Sequence, residues 1–134
     1  MNNHPYLRAY LAGIAVPTLF LLVAMTVYAI ARYLHQVPAA LEHIIMFPMA
    51  VVPNAWGFWN MLYLRLAWRR WPLGAHGAVL PLLLLPAGFV LASAMGATWI
   101  TPATAAIVLP PVAALYYLLW MYLVRFLNEL LGVA

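Results

Sequence analysis

The sequence predicts an all-α integral membrane protein: four transmembrane helices in an up-down-up-down bundle with proline-kinked spans. Three observations carry that prediction. Hydrophobic residues make up 69% of the chain and charged residues only 6%, whereas a soluble domain has about 25% charged residues with which to coat its surface. The apolar residues gather into four runs, each near or above the ~20 residues that cross a ~30 Å hydrocarbon core. Most of the arginines, finally, sit at the ends of those runs rather than along one solvated face. At 134 residues the chain is read as one domain, residues 1–134.

The runs cover roughly residues 11–34, 40–68, 77–100 and 103–127. Backbone amides in lipid must bond within their own segment, so each run is read as a helix. None alternates as the strands of a membrane β-barrel do. The first run, "LAGIAVPTLF" onward, is too long for the apolar core of a cleaved signal peptide and is read as the first span. The second is broken by little more polar than Asn54 and Asn60. "HQVPA" (35–39) and "ITPA" (100–103) are proline-bearing turns, and "RLAWRRWPLGAHG" (65–77) is a longer basic link. Short links place successive spans side by side and antiparallel. The fourth run contains Pro110 and Pro111. Proline sits best in a first turn, so that pair marks either a kink or a helix start, with 99–109 then re-entrant.

Orientation follows from the arginines. Arg8, Arg65, Arg69, Arg70 and Arg125 fall on one side of a four-span threading and Arg32 alone on the other. The side richer in arginine is cytoplasmic, which puts both chain ends there. Trp68 and Trp71 on that side, and Trp99 opposite, occupy the depth of interfacial aromatic belts. An arginine-only basic vocabulary rich in Ala, Leu and Pro points to a GC-rich bacterial genome, hence an inner membrane. A net charge of +4 placed at span ends is a topology signal, so no nucleic-acid partner is expected. The chain has no cysteine, which excludes disulfides and thiolate metal sites.

Four groups of residues are candidates for local function. In span two, "MFPMAVVPNAWGFWN" (46–60) holds Pro48, Pro53 and Asn54, with Trp56 and Asn60 beyond. Each proline removes an amide and frees a carbonyl, at Ile44 and Met49. A carboxamide at that depth is costly without a partner. Asn54 therefore either bonds a freed carbonyl or a neighbouring helix, or it lines a polar substrate or ion pathway as broken helices do in transporters. Asn60, six residues on, lies about 120° around an ideal helix, so the two asparagines need not share a face.

The second group is Arg32, His35, Glu42 and His43, four of the chain's twelve Arg, Glu and His side chains within one turn region. Glu42 can neutralise Arg32, and histidine is the residue type suited to a proton or ligand site. The spacing matches no metal motif, so no metal is expected, and a solvated cluster at headgroup level competes with a proton or ligand site. The third group, Gly88, Ala92, Ser93 and Gly96, is a small-residue stripe suited to close helix packing, with Ala9 and Gly13 a weaker analogue. The fourth, Arg65, Trp68, Arg69, Arg70 and Trp71, combines cations and aromatics suited to anionic lipid headgroups.

Three functions remain in order of preference. The first is a small oligomeric transporter or channel for a small solute or ion, with its polar site near the kinked second span. The second is an accessory or scaffold subunit that binds other membrane proteins or lipids. The third is a membrane enzyme acting on a lipid-like substrate through Glu42 and His43, for which no catalytic set is assigned. The expected partners are membrane lipids and either a second copy of the chain or another membrane protein. No cofactor is indicated.

Overall fold

In the computed structural model the described residues are 4–38, 45–66, 70–96 and 101–133. They form four helices and no strand. Helix α1 is Pro5–Leu34; α2 opens as a π-helical stretch, Ile45–Val51, and continues as Val52–Arg65; α3 is Leu73–Ala94; α4 is Pro102–Leu130. Three of them, α1, α3 and α4, are long and apolar enough to cross a membrane.

Local chemistry explains where these helices start and stop. Pro5 and Pro102 stand in first turns, where a missing amide costs nothing. Thr101 and Thr104 cap α4 reciprocally: Thr104 N donates to Thr101 Oγ1 at 3.2 Å and Thr101 N to Thr104 Oγ1 at 2.8 Å. α1 closes with Gln36 at a left-handed φ of 53° and with Val37 N–H returning to the Ala31 carbonyl at 3.0 Å. α3 ends at Gly96, whose φ of +78° suits a residue with no Cβ.

The boundaries differ from the sequence reading in instructive places. α1 begins at Pro5 rather than residue 11, because the amphiphilic stretch "PYLRAY" continues the helical ladder once Pro5 has nucleated it. α3 begins at Leu73 and ends at Ala94. α4 runs through Pro110 and Pro111, so the pair lies inside a helix begun by the Thr101 cap. The π-helical stretch of α2 spans Pro48 and ends beside Pro53. Two missing amides five residues apart break the regular i→i+4 ladder, and i→i+5 pairing is the nearest substitute. A second π-helical stretch, Trp120–Val124, lies in α4.

α1 packs along α2, and α3 along α4. The two pairs meet in a core of Val16, Trp56, Leu80, Leu84, Trp120 and Val124. Among the described residues the buried ones lie towards the end that holds Arg8, Arg65, Arg70 and Arg125, called here the basic end. In α1 no residue past Pro17 is buried, and none in the first eighteen residues of α4. Towards the far end, Phe20, Val23, Val27 and Ile30 of α1 and Ile107 of α4 are exposed. Such faces would be a liability in water but are ordinary in hydrocarbon, where lipid tails are as apolar as leucine.

Close approach depends on glycine. A Cβ on Gly13 would lie 2.5 Å from the Trp56 carbonyl oxygen and 2.8 Å from the Gly57 Cα, so α1 and α2 cross backbone to backbone at that point. A Cβ on Gly77 would overlap the Trp120 ring, which seats α4 on α3.

Candidate functional site

The polar groups of the bundle converge at the basic end. Asn60 of α2 and Asn128 of α4 are 1% and 2% exposed. Their carboxamides bond reciprocally: Asn60 Nδ2 donates to Asn128 Oδ1 at 2.7 Å and Asn128 Nδ2 to Asn60 Oδ1 at 3.1 Å. Asn60 Nδ2 also donates to the Ala9 carbonyl of α1 at 2.7 Å. One side chain thus ties three helices. Ala9 is itself fully buried, and any larger residue there would hold α1 away from Asn60.

Also at this end, His76 of α3 is 0% exposed. Its Nε2 lies 2.9 Å from the Trp59 carbonyl, and since a carbonyl only accepts, that nitrogen carries the proton. Trp59 Nε1 answers by donating to the His76 carbonyl at 2.8 Å. The Trp59 ring stacks on the imidazole with centroids 4.8 Å apart, and Tyr63 and Trp120 close the box at 5.0 and 5.7 Å. Flanking glycines Gly74 and Gly77 let α4 come down on this segment. The Trp120 Nε1 is buried with no hydrogen-bond partner. This arrangement clamps α2, α3 and α4 through paired polar groups in an aromatic box. Among the described residues no three His, Cys, Asp or Glu side chains come together to hold a metal ion.

The residues singled out in the sequence are distributed as follows. Pro48 lies in the π-helical stretch and Pro53 in the first turn that follows. Asn54 is exposed on α2; its Nδ2 donates to the Ala50 carbonyl at 2.7 Å and its Oδ1 accepts from the Tyr10 hydroxyl of α1. Trp56 is 2% exposed and packs against Tyr116 and Trp120, with ring centroids 4.8 and 5.3 Å away. Asn54 and Asn60 thus point to different surroundings, one to the outside of the bundle and one to its centre. Arg32 and His35 are exposed at the far end of α1, while Glu42 and His43 lie outside the described residues. Arg65, Arg70 and Trp71 are exposed around the basic link; Trp68, Arg69 and Trp99 also lie outside the described residues.

The glycine stripe of α3 is divided. Gly88 faces the Phe47 ring of α2, Ala92 is half-buried, Ser93 is exposed, and Gly96 lies past the helix end with open space around it. The closest backbone approach is made instead at Gly13, against Trp56 and Gly57, while Gly57 and Gly77 make room for the side chains of Tyr10 and Trp120.

Sequence reasoning missed Asn128 and His76. A signal for the first was present: Asn60 precedes Arg65 by five residues and Asn128 follows Arg125 by three, which sets both carboxamides at the basic end. For His76 the flanking Gly74 and Gly77 were the clue, because they allow a second helix to bury the ring between them. No known protein family, characterised relative or solved structure matches this chain.

Proposed function

We propose that this chain is a four-span inner-membrane protein, with both chain ends on the cytoplasmic side, that serves as an accessory subunit docking other membrane components on its helix faces. The four-span topology adds α2 to the three long apolar helices. Residues 45–65 are helical throughout, and twenty-one residues at ~1.5 Å each reach about 31 Å, enough for the hydrocarbon core. The arginine distribution supports the orientation.

One observation carries the accessory role. The buried carboxamides and the imidazole at the basic end are bonded within the bundle, while the far-end faces of α1 and α4 carry large side chains that are exposed among the described residues. That pattern joins a rigid clamp to open apolar surfaces suited to the helices of other membrane proteins. A photoreactive phenylalanine analogue placed at Val27, Val90 or Ile107 should give a discrete protein adduct in native membranes. Lipid adducts at all three positions would refute the role.

A transport reading retains one supporting observation: Pro48, Pro53 and exposed Asn54 adjoin a π-helical stretch, a feature frequent at functional sites. Under that reading vesicles holding the pure protein pass a small solute or ion, and Asn54→Leu abolishes the flux. Unchanged flux in that variant would remove it.

A further inference from the structure

We propose that α2 packs against the α2 of a second copy of this chain, with Asn54 paired to its counterpart across a two-fold axis. The inference rests on α2 spanning the membrane, as the reading above has it. Asn54 precedes Arg65 by eleven residues, which places it about 16 Å in from the basic end, near the middle of a ~30 Å core. It is nonetheless exposed, and it lies on a stripe with Ala50 and Phe58, one helical turn to either side and likewise exposed.

The carboxamide has two amide hydrogens and two oxygen lone pairs. Its bonds to Ala50 and Tyr10 use one of each and hold the group in place. One hydrogen and one lone pair remain on this exposed residue, and hydrocarbon has no partner to offer them. Those are the two functions that a reciprocal carboxamide pair consumes on each side. The chain already builds such a pair from Asn60 and Asn128, at 2.7 and 3.1 Å.

A second copy is the occupant that fits. Every copy inserts with the same orientation, so a two-fold axis along the membrane normal brings Asn54 to Asn54 at equal depth. The group is self-complementary, so no other protein has to supply a matching donor and acceptor. Ala50 is small enough to let the second backbone approach, and Phe58, 60% exposed and already resting on Tyr10 at 5.4 Å, supplies apolar contact below the pair.

The test uses the absence of native cysteine. Single Ala50→Cys and Phe58→Cys reporters are oxidised in native membranes beside Val90→Cys, which is exposed on α3. Disulfide-linked homodimers are expected from the two α2 reporters and not from Val90→Cys. In vesicles, energy transfer between labelled copies on lipid dilution should show about tenfold weaker association for Asn54→Leu, since two interhelical bonds are lost per dimer. Tyr10→Phe removes one of the two bonds that hold the carboxamide but leaves its pairing hydrogen and lone pair, so it should weaken association far less than Asn54→Leu, which separates loss of pairing from loss of the α1–α2 contact. Monomeric α2 reporters, dimers linked through Val90→Cys, or an adduct of α2 with a different protein would each overturn the proposal. Rapid labelling of Ala50→Cys by an aqueous maleimide would instead defeat the spanning of α2 itself, whereas slow labelling without cross-linking defeats the pairing alone.

Discussion

Replacing Asn60 with leucine, which keeps the branching of the carboxamide but puts two methyl groups in place of its polar atoms, tests what the buried carboxamide pair contributes. The change deletes three hydrogen bonds, two to Asn128 and one to the Ala9 carbonyl. Interhelical bonds in membrane proteins average about 0.6 kcal/mol, with a maximum near 1.7, so their direct loss amounts to about 2 kcal/mol. Asn128 is then left buried with a stranded carboxamide, which adds about 1 kcal/mol or more. Asn60→Leu should therefore destabilise by roughly 3 kcal/mol. Asn128→Leu should cost less, about 2 kcal/mol, because Asn60 keeps its bond to Ala9. In the double variant no carboxamide is stranded, so its cost should equal that of Asn60→Leu or fall below it, leaving a coupling energy of about 2 kcal/mol. The cycle is measured by steric trapping in lipid bicelles or by reversible unfolding in mixed micelles. Costs that simply add, within about 0.5 kcal/mol, would show that the two side chains do not meet.

Two further predictions follow from backbone geometry. Gly13→Ala should destabilise by about 3 kcal/mol, since the new methyl meets the Trp56 backbone at 2.5 Å, whereas Gly88→Ala meets only the tip of the Phe47 ring at 3.0 Å and should cost under about 1 kcal/mol. Equal melting temperatures for those two variants would mean that the α1–α2 crossing is not the close one. Gln36→Gly should raise the melting temperature, worth about 0.5 to 1 kcal/mol, because it relieves a left-handed φ of 53°; a fall would argue that the closing turn of α1 is held by the glutamine side chain.

How legible the protein was in its residues depended on the range of the interaction. Proline at the start of α1 and α4, the threonine pair ahead of α4 and the glycine after α3 are local signals that mark helix ends, although in sequence Gly96 reads as part of a packing stripe and the threonines were not weighed. For Pro110 and Pro111 a kink and a helix start both stood open, because a proline pair is compatible with either; the Thr101–Thr104 cap a few residues earlier begins the helix and leaves the pair inside it. The glycine stripe of α3 satisfied the spacing for close packing, but spacing alone does not say whether a partner backbone is there. At Gly96 the glycine instead serves a left-handed turn. Asn60 was chosen for its depth and proved to be the residue that joins three helices, yet its partner lies sixty-eight positions away.

The residues alone determined the solvent, the helical character of the chain and the approximate helix limits. Hydropathy, capping and proline chemistry act over a few consecutive positions, so they can be summed along a sequence. Only the tertiary structure decided that the bundle tightens at its basic end, that Gly13 meets Gly57, that His76 sits in a box of Trp59, Tyr63 and Trp120, and that Asn54 faces outward while Asn60 faces in. Each of these depends on the angle at which two helices cross. In lipid that angle is set by the closest fit of backbones and the pairing of a few polar groups, because hydrophobicity no longer distinguishes one face from another.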